Sequence, residues 1–324
     1  MFNRKRFATV LAAVVAVAAI GPAQAAKVGN VVFFGDSLSD TGNIWYATNG
    51  FPTLPYNQGT SGAGPDKTGG QWSDQLGPSW STVFAKKFGL LATPSLVGGN
   101  NYAWGGARTG VNANPAAAPW LNQQVGQYLF GNAPTNQTLL TVMMGGNDVA
   151  NNLGNVAALQ AGIASIVGSL NSLYAAGGRQ FLVANVPDIG ATPTFQDLDQ
   201  DNPGTAAFAT FWTQQWNAAL SGALANLNLP GAKLSFLDLY ALGKDPKLLA
   251  GYANTTDACL TSTSLCADPS TYFYWDSFHP TSTTHAAIAK YAAQAIGVPE
   301  PAALALMLLG LGGLAASARR RTLG

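Results

Sequence analysis

Charge is what this 324-residue chain has least of: 10% of its residues are Asp, Glu, Lys or Arg, against 48% hydrophobic residues. With a formal net charge of +1, the chain offers no broad basic surface, which argues against nucleic acid as a partner. The hydrophobic share suffices for one large core and excludes disorder as the general state. Histidine and cysteine are scarce too, with two residues of each. Two histidines leave few candidates for a general base, and the two cysteines have too few ligand-type neighbours for a zinc site. Gly-x-Ser-x-Gly, His-Glu-x-x-His and Gly-x-x-x-x-Gly-Lys do not occur. Their absence removes one common nucleophile elbow, the zinc peptidases and P-loop nucleotide binding.

Both ends of the chain carry sorting features. Arg4-Lys5-Arg6, an apolar stretch over 7–20 and Ala23-Gln24-Ala25 predict a secretory signal peptide over residues 1–25. Its apolar run is short for a permanent span. At the other end, Val298-Pro299-Glu300-Pro301 precedes an apolar segment over 302–316 and then Arg319-Arg320-Arg321. This tripartite tail, 298–324, resembles the PEP-CTERM sorting signals of Gram-negative bacteria. The resemblance implies transient membrane anchoring and processing by an exosortase-type enzyme. An ordinary C-terminal anchor has the same outline, and either places residues 26–297 outside the cytoplasm, in the periplasm, on the cell surface or beyond it. In such an oxidising compartment Cys259 and Cys266, close together in a Thr/Ser-rich stretch, are expected to form a local disulfide.

What the chain does have is apolar runs that stop abruptly. Val31-Val32-Phe33-Phe34 ends at Gly35-Asp36-Ser37, as a buried strand does when it delivers a serine to the rim of a sheet. A plain strand followed by a serine turn looks the same. Thr138 to Met144 repeats the plan and ends at Gly145-Gly146-Asn147-Asp148. Further strands are predicted around 96–102, over 180–186 and over 233–239, with helices over 80–88, about 119–130, 149–176, about 204–227 and 284–296. Strands alternating with helices, without internal repeats, indicate one α/β domain with a mainly parallel sheet. In such sheets polar groups at the carboxyl ends of neighbouring strands bind ligands. Residues 49–70, dense in Gly, Pro, Asn and Thr, read as a long exposed loop bordering a cleft. Asp197 to Asn202 has the look of half a calcium loop, but Phe208 stands where the twelfth ligand must be, so a polar loop capping the next helix is expected instead.

Of the two histidines, His279 has an acid three residues before it, Asp276. That spacing lets the carboxylate fix the imidazole tautomer and leave the other nitrogen free to take a proton from a serine. His285 lacks such an acid and is read as surface or packing. Gly35-Asp36-Ser37-Leu38, Asn101 to Gly106, Gly145-Gly146-Asn147-Asp148 and Asp276-Ser277-Phe278-His279 together resemble the ordered blocks of the SGNH, or GDSL-type, hydrolases. The run Phe34 to Asn43 is similar to the subgroup of secreted bacterial lipases, phospholipases and haemolysins. The resemblance spans about residues 30–297 and implies a three-layer, flavodoxin-like α/β/α sandwich. It implies Ser37 as nucleophile, His279 as general base and Asp276 as its orienting acid. The backbone N–H groups of Ser37 and Gly106 and the side-chain amide of Asn147 are the implied oxyanion hole, with Gly105 as a rival for Gly106. Asp148 is expected to support its turn. An ester substrate, lipid, phospholipid or short acyl, is implied, with no metal or organic cofactor. A polysaccharide O-acetyl esterase and a non-catalytic matrix protein are the rivals. Trp45, Tyr46, Tyr102 and Trp104 are candidates to line an acyl pocket or simply to pack.

Overall fold

Apolar residues on every position of a strand predict burial on both faces, and the sheet shows it. The computed structural model describes residues 28–114 and 116–298; the expectations for 1–25 and for the tail beyond 298 lie outside them. The strands are β1 (Asn30–Gly35), β2 (Tyr56–Asn57), β3 (Gln71–Asp74), β4 (Thr138–Met143), β5 (Gln180–Ala184), β6 (Lys233–Leu237), β7 (Asn254–Ala258) and β8 (Tyr272–Tyr274). The helices are α1 (Asn43–Thr48), α2 (Trp80–Lys86), α3 (Leu121–Gly131), α4 (Gly146–Asn151), α5 (Val156–Ala175), α6 (Pro193–Asp201), α7 (Thr205–Ala225), α8 (Leu239–Leu242), α9 (Pro246–Leu249) and α10 (Ser282–Ala295). Strands β1, β4, β5 and β6 form one parallel sheet in the order β1-β4-β5-β6.

Side chains alternate between two cores, as the pleat requires. Val32, Phe34, Leu140, Val142, Phe181 and Val183 pack with α3, α5 and α7 on one face. Val31, Phe33, Leu139, Met143, Leu182 and Ala184 pack with α2 and α10 on the other. The result is an α/β/α sandwich. Phe33 and Phe34 are fully buried, worth about 1.5–3 kcal/mol each by transfer from water.

Three expectations need correction. The strand around 96–102 is a 3-10 turn at Ser95–Val97 followed by single hydrogen bonds along β1: Phe33 N–H to Asn100 O, Tyr102 N–H to Phe33 O and Trp104 N–H to Gly35 O. Gly98, at φ 85°, turns the chain before it can extend. The helix over 149–176 is two helices, because Gly154 adopts φ 77° and the Asn155 side chain caps α5 by accepting Ala158 N–H. The acidic segment around Asp199 is helical, not a loop, with Pro193 in its first turn. Its Asp199 does cap the next helix, accepting the N–H groups of Gly204 and Ala206 at 2.9 Å each. The Thr/Ser-rich region holds the Cys259–Cys266 disulfide, with Cα atoms 4.8 Å apart.

Candidate active site

Strand β1 presents Ser37 because its last residue can only be glycine. A Cβ on Gly35 would stand 2.8 Å from Met143 O and 2.9 Å from Ser39 Oγ, closer than real contacts allow. Buried Gln124, on α3, grips Gly35 as a neighbouring strand would. Gly35 N–H donates to its Oε1 at 3.0 Å, and its Nε2 donates to Gly35 O at 2.9 Å. Past this clamp the N–H groups of Ser39 and Asp40 both donate to Asp36 O, curling the chain and leaving Ser37 at the sheet's carboxyl edge, 6% exposed.

The Asp-x-x-His segment folds onto its own carboxylate. Asp276 Oδ1 accepts the N–H groups of Phe278 and His279 at 2.7 and 2.6 Å, a local Asx turn. Its Oδ2 accepts from His279 Nδ1 and from the Tyr56 hydroxyl, each at 2.8 Å. An ionised carboxylate only accepts, so Nδ1 carries the proton and Nε2 is left to accept from Ser37 Oγ, 2.8 Å away. Burial by itself raises the Asp276 pKa, but the facing imidazole and the two backbone N–H groups outweigh it and hold the group at about 2. The Trp72 ring lies against the imidazole with centroids 4.7 Å apart, fixing its plane.

Blocks two and three are tied to block one by hydrogen bonds on either side of Gly106. Gly105 N–H donates to Asp40 Oδ2 at 2.9 Å, so it is committed and does not compete for the Gly106 position. Asp40 also accepts from Gly42, Asn43 and Ile44. Burial pushes its pKa up to about 6 against those N–H groups. On the other side, Asn147 Nδ2 donates to Ala107 O at 2.9 Å. Asp148, expected to support its own turn, instead accepts from Thr109 N–H and Oγ1 and holds the Thr109 segment to α4. Gly106 itself has φ 73° and is exposed, a left-handed position suited to glycine. The N–H groups of Ser37 and Gly106 donate to no protein acceptor among the described residues, and one N–H of Asn147 Nδ2 is uncommitted.

A cavity of about 150 Å³ opens beside Ser37. Met143, Met144, Val186, Ile189, Leu239 and Phe278 give it apolar walls, and Asp36 and the Asp188–Lys244 ion pair, at 3.0 Å, give it polar edges. Burial raises the Asp36 pKa to about 7. The aromatics expected as pocket candidates do not line it. Tyr102 and Trp104 are buried in the core, and Trp45 packs against Gly69 and Gly70. Among the described residues no cluster of three His, Cys, Asp or Glu side chains is placed to hold a metal ion.

Several partners were not read from sequence: Tyr56, Trp72 and Gln124; of the two readings for the second histidine, surface or packing, the structure has packing. His285 is fully buried, accepts Trp80 N–H at Nδ1 and donates from Nε2 to Trp72 O. It packs, and by doing so it seats Trp72 against His279. Burial lowers its pKa to about 4. The Gly-rich loop over 49–70 does border the site, because Tyr56 comes from it. That residue had a legible signal only in its being aromatic within a polar loop.

A hydroxyl, an imidazole and a carboxylate hydrogen-bonded in series at the carboxyl edge of a parallel sheet is the arrangement serine hydrolases use for acyl transfer. Residues 31–292 match the GDSL-like lipase/acylhydrolase family. The chain belongs to that family and is a carboxylic ester hydrolase. Residues 297–321 match the PEP-CTERM protein-sorting motif, as the tail's composition suggested. A GDSL esterase/lipase of Arabidopsis thaliana is 27% identical over 79% of this chain and 86% of its own. The thermolabile hemolysin of Vibrio parahaemolyticus is 26% identical over 82% of this chain and 63% of its own. A crystal structure of a lipolytic G-D-S-L family protein from Veillonella parvula aligns with TM-score 0.40 and 12% identity, covering 84% of this chain and 99% of that one.

Proposed function

We propose that the protein is a secreted serine esterase that works through an acyl-enzyme on Ser37. The carrying observation is the unbroken line from Ser37 Oγ through His279 to Asp276, with 2.8 Å at each step. Ser37 Oγ attacks the ester carbonyl carbon while its proton passes to His279 Nε2. Negative charge gathers on the carbonyl oxygen, facing the N–H groups of Ser37 and Gly106 and the Asn147 amide. The C–O bond breaks, and the alcohol leaves with the proton held by His279. Water then attacks the acyl carbon and gives a proton to His279; the bond to Ser37 Oγ breaks, His279 returns that proton to Oγ, and the acid is released.

The apolar walls of the cavity support esters with an apolar acyl group, of lipid, phospholipid or short-chain type. One second reading is an O-acetyl esterase on extracellular polysaccharide, a substrate that an enzyme exported with a sorting tail could meet. In either case residues 1–25 act as a signal peptide, 26–297 as the hydrolase domain and 298–324 as a sorting tail cut by an exosortase-type enzyme in a Gram-negative envelope. The test is an ester panel varied in acyl length and head group, with acetylated polysaccharide included and Ser37→Ala as control. Preference for longer apolar acyl groups supports the first reading, and selective deacetylation of polysaccharide supports the second. Equal rates for wild type and Ser37→Ala on every ester overturn both.

A further inference from the structure

The site sits at the carboxyl edge of the sheet, and the chain leaves the domain at the opposite edge. Helix α10 starts just after His279 and runs 14 residues away from it, roughly 21 Å at 1.5 Å per residue. Immediately past its end, Ile296 O accepts from Lys233 Nζ at 2.7 Å, and Lys233 is the first residue of β6. Val298 packs into the same core layer as Val28, which lies just before β1. The sorting motif therefore departs about 20 Å from Ser37, on the far side of the sheet.

The connection beyond that point is short. Four peptide steps separate Val298 from Ala302, where the apolar segment begins, and they span at most about 14 Å. That reach is shorter than the distance of about 20 Å from the departure point to Ser37, so the domain cannot invert fully over a bilayer holding the apolar segment.

Charge is sorted along the same axis. At the site edge Asp36 and Asp148 are buried and Asp188 is paired with Lys244 at 3.0 Å, so the exposed charge lies mainly at the departing edge. Arg179 precedes β5 and Lys233 opens β6 at the other edge. Lys86 and Lys87 close α2, whose first turn hydrogen-bonds Ser39 O near the site and which runs away from it. The headgroups of an anionic leaflet attract this basic edge.

We propose that the tail-bearing protein stands on its bilayer with the mouth of the active site turned away, so that Ser37 serves esters arriving from the opposite side and not the lipids of its own membrane. This rests on the reading of the tail as a membrane anchor and of Ser37 as the nucleophile. It narrows the substrate class to soluble esters, surface polymers or the lipids of a facing membrane.

The test places one dye at each edge of the tail-bearing chain, reconstituted in anionic phospholipid vesicles that carry nitroxide-labelled headgroups. Both native cysteines are joined in the disulfide, so an introduced cysteine takes the dye alone. Leu54→Cys marks the mouth: Leu54 is 68% exposed, in the loop whose Phe51 and Tyr56 rings pack on Trp72. Asn228→Cys marks the opposite edge, in the exposed turn before β6. The Asn228→Cys dye is expected to lose most of its emission and the Leu54→Cys dye to keep it. Quenching of the Leu54→Cys dye to the same degree or more overturns the proposal. If neither dye is quenched, the tail does not anchor and the proposal falls with that premise. Hydrolysis of a soluble ester in the same sample reports separately on Ser37.

Discussion

Tyr56→Phe removes one oxygen and tests how the acid at the site is held. Asp276 has four lone-pair positions, and all are filled: two by backbone N–H groups, one by His279 and one by the Tyr56 hydroxyl. The hydroxyl donates to the same oxygen that holds His279, so it draws negative charge away from the imidazole. A hydrogen bond to a charged group contributes about 1.5–3 kcal/mol. Asp276 is 8% exposed, so water does not readily replace the lost donor. With the hydroxyl gone, the buried carboxylate keeps three donors, and the fold is expected to lose about 1.5–3 kcal/mol. The assay is urea unfolding at neutral pH, wild type against Tyr56→Phe, read from the midpoint and slope. A loss below about 0.5 kcal/mol refutes the reasoning, because the Tyr56 hydroxyl would then supply nothing that solvent does not.

Asn147→Ala, in the proposed oxyanion hole, is expected to lower kcat by about 10²–10³ with KM little changed, read by steady-state kinetics. Replacing Cys259 and Cys266 by serine opens a short loop with a sequence separation of 7. Chain entropy gives a loss of about 2.5 kcal/mol, visible as a lower urea midpoint that reductant no longer alters. His285 is neutral in the fold with a pKa near 4, against 6.5 when free, so the unfolded chain takes up the proton first. Its contribution is present above pH 6.5 and fades as the pH falls towards 4, to a loss of about 3 kcal/mol. Asp36 and Asp40, raised by burial, act in the opposite direction over part of this window. The His285 effect is therefore read as the difference in unfolding free energy between wild type and His285→Gln, which keeps a donor and an acceptor for Trp72 O and Trp80 N–H.

Parts of the site were legible because local sequence dictates them. Gly35-Asp36-Ser37 ends an apolar run, and Asp276 lies three residues before one of only two histidines, so spacing alone pointed to their contact. Other parts depend on contacts that no local pattern encodes. The Tyr56–Asp276 hydrogen bond joins residues 220 positions apart and comes from a loop without periodicity. Gln124 reads in sequence as a polar position on a helix, yet it completes the backbone pairing of Gly35 in place of a strand. Trp72 sits on short strand β3, whose alternation is too brief to register. Within the fold, the long apolar strands were visible for the same reason as the nucleophile. The break at Gly154 was not, because the helical periodicity continues on both sides of it.

The central claim is that Ser37 is acylated in turnover, and the direct measurement is trapping with a fluorophosphonate followed by intact-mass and peptide analysis. One equivalent of adduct on the Ser37 peptide, absent from Ser37→Ala and slowed in Asp276→Asn, is the predicted result. An unlabelled Ser37 in protein that still hydrolyses esters, or an adduct formed on another residue at the same rate, contradicts the account.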